Sequence, residues 1–324
     1  MRPSRRRQFL IALGTILLVP HAGAQSIPHV GLLFLESSFG EEGMAAINER
    51  LRQDGLGEGR DFLFERVSAV TAYQQLPNAA AELVRRKVSV IFSYGDTATH
   101  AAAKATSTIP IVMLIGTDPV SAGLATSLAR PGGNVTGIST MVQFLIAKRL
   151  ELLKESVPTI KHVAVLFNPG SRNEAESVKQ VEIAARAIGL RVYAAEARES
   201  NAIEPAILAA MRAGADALMT VPSTFLQRKK TVERISELAI AHRLPLVSNN
   251  AVDGGGMISY QPSRRFLFHG VGGYLARILK GAKPAELPIE QPTIVELAVN
   301  LKTARALGIK IPQSILLRAD RVIE

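Results

Sequence analysis

The chain has no cysteine and no tryptophan in 324 residues, and its aromatic content is 5%. Without cysteine there can be no structural disulfide, no thiolate metal site, no cysteine nucleophile and no lipid attached at a signal-peptide cysteine. A chain of this length buries enough core to fold without such staples. The six histidines never take H-x-x-x-H spacing, which argues against a metal centre. No G-x-S-x-G is present, so the commonest serine-hydrolase turn is missing. No G-x-G-x-x-G follows the first apolar run, which tells against a dinucleotide site. The glycine-rich Pro131-Gly132-Gly133-Asn134 precedes a strand-like run, whereas a phosphate loop should precede a helix. Its turn is expected to need a positive φ at Gly133. Lack of indole also weakens a sugar-site reading, because sugars stack well on tryptophan. These absences make an exported enzyme the least favoured of three functional readings, and no cofactor is expected.

Long apolar runs are scarce too. Residues 9–19 are apolar but fall short of the roughly 20 residues that span a bilayer. Arg5-Arg6-Arg7 before them and Ala22-Gly23-Ala24 after them complete a cleavable signal over residues 1–24. Arg6-Arg7-Gln8-Phe9-Leu10 resembles the twin-arginine pattern R-R-x-F-L; an arginine-rich general secretory signal fits the same residues. The expected mature chain starts near Gln25, sits in the periplasm and keeps no membrane insertion. Formal net charge is +10; losing Arg2, Arg5, Arg6 and Arg7 with no acid would leave +6. The remaining basic residues, such as Arg85-Arg86-Lys87 and Arg228-Lys229-Lys230, are scattered along helical stretches. That pattern reads as solvated helix faces rather than a nucleic-acid footprint.

What the chain does have is one pattern stated twice. His29-Val30-Gly31-Leu32-Leu33-Phe34 is echoed by His162-Val163-Ala164-Val165-Leu166-Phe167. Nine residues after each histidine stands Ser-x-x-Glu, at Ser38–Glu41 and Ser171–Glu174, and each following helical stretch closes on Gly-Leu, at Gly55-Leu56 and Gly189-Leu190. An apolar run, a capping box and a glycine stop spell strand, loop and helix.

Further strands are expected at 61–67, 88–92, 111–115 and 134–138 in the first half. The second half predicts strands at 162–167, 190–194, 217–221, 244–248 and 257–260, with another at 293–300. Helices are expected at 76–87, 98–105, 142–156, 178–188, 231–242, 264–280 and 302–307, and a turn at 253–256. Near-continuous Val/Ile/Leu runs alternating with helices predict parallel sheets covered on both faces. The fold expectation is therefore α/β: two Rossmann-like, doubly wound lobes joined by crossover segments. Lobe 1 takes 25–140 plus 261–290, and lobe 2 takes 141–260 plus 291–324.

Ligands in such sheets sit beyond the carboxyl ends of the strands. The candidate binding residues there are Ser38, Tyr94, Gly95, Asp96, Thr97, Thr117, Asp118, Asn168, Ser223 and Asn249. Backbone N–H groups at helix starts suit a carboxylate, and Asp96, Asp118 and Glu36 could accept from an amine, so a zwitterion fits. Ser38, Thr97 and Ser171 are equally good helix caps without any ligand. Phe39, Tyr94, Phe167 and Phe225 are available either to a ligand ring or to the core.

Several segments resemble one bacterial family. They are 106–112 (TSTIPIV), 117–120 (TDPV), 127–137 (SLARPGGNVTG), 287–293 (LPIEQPT) and the 300–308 stretch. The chain is similar over about residues 28–324 to ABC transporter substrate-binding proteins, the group with tryptophan- and tyrosine-binding members. The resemblance implies a type I periplasmic binding protein fold, in which two lobes joined by three crossing segments capture a small solute and hand it to a permease served by a separate ATPase. It implies a monomeric receptor and maps a carboxylate cradle to residues 95–98. Related chains carry Gly-Thr-Pro or Gly-Ser-Pro there; this one has Gly95-Asp96-Thr97, which would repel an anion unless Asp96 caps its helix or faces an amine. A sensory module for a membrane kinase or chemoreceptor would share the same fold.

Overall fold

The computed structural model describes residues 27–35, 41–67, 70–141, 144–223 and 225–324. The expected signal 1–24 and the loop holding Glu36, Ser38 and Phe39 lie outside the described residues. The first sheet contains β1 (His29–Leu33), β2 (Leu63–Arg66), β3 (Val90–Tyr94), β4 (Ile111–Ile115) and β5 (Val135–Ser139), in the order β2-β1-β3-β4-β5. Every pair in it is parallel. Helices α1 (Glu41–Gln53), α2 (Leu76–Arg85) and α3 (Asp96–Ala105) make the crossovers.

The second sheet holds β6 (His162–Phe167), β7 (Arg191–Glu196), β8 (Ala217–Thr220), β9 (Leu246–Ser248), β10 (Ile258–Pro262), β11 (Val295–Asn300) and β12 (Arg321–Ile323). Its order is β12-β11-β10-β9-β8-β6-β7. Around it run α4 (Phe144–Ser156), α5 (Arg172–Ala187), α6 (Ile203–Arg212), α7 (Lys229–Ala241), α9 (Leu301–Ala306) and α10 (Gln313–Leu316). One pair departs from the expected parallel arrangement: β11 runs antiparallel to β10. The reason lies between them, where α8 (Arg264–Leu279) leaves the second sheet and packs against the first. The returning chain enters from the opposite end.

The paired motifs fold alike. Gly55 and Gly189 both take positive φ, at 83° and 72°. In each, the following leucine donates its N–H back into the last helical turn, Leu56 to Leu51 and Leu190 to Ala185, both at 2.9 Å. This is the glycine-stopped helix end that a Gly-Leu pair signals. The capping box is realised differently. Ser171 Oγ accepts the Glu174 N–H at 3.4 Å, but the Glu174 carboxylate accepts from the Asn168 N–H at 2.8 Å instead of from Ser171. The Ser171 N–H is already committed to the Asn168 carbonyl at 3.0 Å.

Each sheet is sandwiched between two apolar clusters. One face of the first sheet packs Val30, Leu32, Phe92 and Leu114 against Leu267, Val271, Tyr274 and Leu275 of α8. The other packs Leu33, Ile91, Ile111 and Met113 against α2 and α3. Strands buried on both faces explain the unbroken apolar runs in β4 and β6. The α8–α1 contact is close because Gly272 has no side chain; a Cβ there would stand 2.7 Å from the Ile47 carbonyl oxygen. The chain passes between sheets three times: from β5 to α4, from β10 to α8, and from residue 290 to β11. At the last passage Glu290 still bonds to β5, exchanging backbone hydrogen bonds with Gly137 and Ser139, both at 3.0 Å.

The glycine-rich turn before β5 corrects one expectation. Gly132, not Gly133, takes the positive φ, 77°, and a Cβ on Gly133 would meet open space. Asn134 anchors that turn by donating from Nδ2 to the carbonyls of Thr106 (3.1 Å) and Ile109 (2.8 Å).

Candidate functional site

A cavity of about 630 Å³ is lined by both lobes. The first lobe supplies Tyr94, Gly95, Asp96 and Thr97 after β3, Leu114 to Gly116 after β4, and Thr140 after β5. The second supplies Asn168, Gly170, Ser171, Asn173 and Glu174 after β6, Pro222 and Ser223 after β8, and Asn249 after β9. Gln261, Pro262, Arg264, Leu267 and Phe268 come from the β10–α8 crossing. Nearly all of these positions follow the carboxyl ends of parallel strands, where helix N-termini leave backbone N–H groups without intrahelical partners.

Three helix starts face the cavity, and each carries a charged residue in its first turn. At α3, Gly95 is the N-cap with φ 96°, a conformation a side chain would strain. Asp96, the first helical residue, accepts from the Thr117 hydroxyl and from the Thr117 N–H at 3.3 Å. Behind it, buried Ser93 and Thr99 share a hydroxyl hydrogen bond of 2.8 Å, and the Thr99 hydroxyl donates to the Gly95 carbonyl at 3.0 Å. The turn that presents Asp96 is thus held from the core side.

At α5, Glu174 is 5% exposed. Burial pushes its carboxyl up to about 6, partly offset by the Asn168 N–H and the Ser223 hydroxyl. At α8, Arg264 holds its guanidinium carbon 5.5 Å from the Phe268 ring centroid. The Phe268 ring meets Tyr94 edge-on at 5.6 Å and 69°. Arg264 forms no ion pair with an acid among the described residues. Asn249 is 7% exposed, and its Oδ1 is buried without a hydrogen-bond partner among the described residues.

Of the residues singled out from sequence, the structure brings Tyr94, Gly95, Asp96, Thr97, Asn168, Ser223 and Asn249 to the cavity wall. Thr117 stands behind the wall as the partner of Asp96. Asp118 lies outside it and caps its own turn, accepting from the Val120 N–H (3.1 Å) and the Ser121 hydroxyl (2.6 Å). That hydroxyl holds its carboxyl below the usual range. Phe167 and Phe225 are packed into the two cores of the second lobe. Ser38 lies outside the described residues. Sequence reasoning missed Glu174 as a wall residue, because Ser-x-x-Glu reads fully as a cap. It also missed Arg264 and Phe268, whose i, i+4 spacing after Pro262 was the available signal. Among the described residues, no group of three or more His, Asp or Glu is placed to hold a metal ion. No described helix is long and apolar enough to cross a membrane.

Two lobes, three passages between them and a cleft at the strand ends describe a class of solute-binding protein. Residues 33–323 match the family described as ABC transporter substrate binding protein, and the chain belongs to it. It is 26% identical over 262 residues to a tyrosine-binding protein of Clostridioides difficile (strain R20291), covering 80% of this chain and 74% of that one. Among solved structures it resembles a conserved domain protein of Vibrio cholerae with TM-score 0.81 and 25% identity, over 91% of this chain and 99% of that one. It also resembles the ABC domain of Streptococcus pneumonia in complex with L-Trp, with TM-score 0.81 and 24% identity, over 92% and 100%. The fold is that of the type I periplasmic binding proteins.

Proposed function

We propose that this substrate-binding protein is the extracytoplasmic receptor of an ABC importer, capturing a small polar solute of the aromatic amino-acid class between its lobes. The observation that carries the reading is the cavity itself. At about 630 Å³ it falls within the roughly 300–1,000 Å³ of small-molecule sites. It joins an aromatic wall of Tyr94 and Phe268 to opposed charged groups, Asp96 and Glu174 against Arg264. A zwitterion with a ring matches that inventory. The tyrosine-binding relative and the tryptophan-bound structural neighbour support the same ligand class.

In this reading the lobes are residues 25–140 with 261–290 and residues 141–260 with 291–324. Helix α8 belongs to the first lobe although β10 and β11 on either side belong to the second sheet. The three passages are the hinge, and a ligand that touches both walls stabilises the closed form. The receptor works as a periplasmic monomer after removal of residues 1–24, and delivers its solute unchanged to a permease driven by a separate ATPase. It neither catalyses a reaction nor binds nucleic acid.

The test is thermal shift of residues 25–324 against a library of amino acids and small carboxylates. A ligand at 100 times its Kd adds roughly 2.7 kcal/mol and a clear rise in melting temperature. No shift with any aromatic amino acid would refute the assigned ligand class.

A further inference from the structure

The charge at the three helix starts is unevenly assigned. A helix N-terminus favours an anion, and a free one in a cleft would take a ligand carboxylate. Here α3 and α5 already carry their own carboxylates, Asp96 at the first helical position and Glu174 at the third. Only one carboxylate oxygen of Asp96 is engaged by Thr117. Glu174 is more than nine-tenths buried and faces hydrogen-bond donors, Asn168 N–H and Ser223 hydroxyl, and makes no ion pair with a cation among the described residues. A buried carboxylate without a cation is costly, and a cation supplied by a ligand would offset that cost. Asn249, just after β9, the neighbour of the β8 strand that leads to Ser223, lines the same cavity with a buried carbonyl oxygen that accepts from no described residue. An unused buried acceptor asks for a donor. The third helix start, α8, carries the cation instead, Arg264.

We infer that the cleft selects solutes bearing an amine and rejects the matching des-amino carboxylates. Asp96 from one lobe and Glu174 from the other are the specificity-determining acceptors, with Asn249 beside Glu174. A ligand carboxylate, where present, goes to Arg264. This rests on the receptor reading above and assigns the side chains that read the ligand's amine. It also explains why an aspartate at the head of α3 is compatible with a binding site: that helix start is not an anion cradle in this chain.

The experiment is titration calorimetry of the mature protein with matched sets of probes. Each set contains an aromatic amino acid (phenylalanine, tyrosine or tryptophan), its des-amino acid and its decarboxylated amine. Glu174→Gln and Asp96→Asn, which keep shape and one acceptor oxygen, are titrated beside the wild type. The expected result is that the amino acid binds, the des-amino acid binds at least about 100-fold more weakly, and the amine retains measurable affinity. Glu174→Gln should weaken amino-acid binding by at least about tenfold, and Asp96→Asn should weaken it less, while melting curves show both variants folded. Des-amino acids that bind as well as the amino acids, or affinities unchanged in both variants, would overturn the inference and leave the receptor reading intact. Wild-type protein that binds no member of any set would overturn both.

Discussion

Glu174→Gln should make the unliganded protein more stable at neutral pH while making it a poorer receptor. The Glu174 carboxyl is raised from 4.5 to about 6, chiefly by burial. An acid raised on folding is deprotonated first in the unfolded chain. Stability therefore falls as pH rises through the window from about 4.5 to about 6, and the deficit stays constant above it. The difference of about 1.5 pKa, at about 1.36 kcal/mol each, amounts to roughly 2 kcal/mol. Glutamine removes the charge yet keeps an oxygen for the Asn168 N–H, whose bond to Glu174 is 2.8 Å. At roughly 2 °C per kcal/mol for a chain of this size, the variant should melt about 4 °C above wild type at pH 7.5. The two should melt together near pH 4, where both side chains are neutral. Denaturant titrations at pH 4, 5, 6 and 7.5 give the full curve. A variant less stable than wild type at pH 7.5, or a difference that persists at pH 4, would refute burial of an uncompensated carboxylate as the cause. Saturating amino acid should shrink or reverse the gap, because its ammonium finds a charged partner at this position only in wild type.

Other positions carry predictions of their own. Gly132→Val should cost about 1–2 kcal/mol, since the backbone there has φ 77°, whereas Gly133→Val should be nearly neutral; equal melting temperatures for the two would contradict the turn geometry. Gly272→Val should cost roughly 1–3 kcal/mol by pushing α8 from α1, where a Cβ already sits 2.7 Å from the Ile47 carbonyl, and an unchanged melting curve would show that the helices can part freely. Arg149 is fully buried, with Nε donating to the Tyr260 carbonyl at 2.8 Å and neither Nη partnered among the described residues. Burial lowers its pKa to about 9. Arg149→Met should therefore leave stability unchanged or raise it by up to about 4 kcal/mol at pH 7; a clear loss of stability would show that the guanidinium is compensated in a way the fold does not reveal.

Local signals in the sequence were enough to place most strands and the glycine-stopped helix ends. Apolar runs buried on both faces, such as His162 to Phe167, coincide with strands residue for residue. The loops after β3, β6, β8 and β9 were legible as neighbours lining one cavity because parallel topology puts their ends together. What failed to show were properties that depend on distant residues. The cavity around Glu174 is built with residues far away in the chain, among them Ser223 in the loop after β8, so its own Ser-x-x-Glu context reads as capping alone. Arg264 and Phe268 reach the cavity only because α8 crosses to the other sheet, and the reversal of β11 follows from the same crossing. The fate of Phe167 and Phe225 was undecided in sequence, since strand-end aromatics serve core and cleft equally.

Equilibrium dialysis of residues 25–324 against aromatic amino acids, with the recovered solute analysed by mass spectrometry, separates a receptor from an enzyme and from a chain with no affinity for this class. Saturable retention of one solute molecule per chain, released chemically unchanged, is expected. No retention, or a solute returned altered, would contradict a receptor that closes on an amino acid.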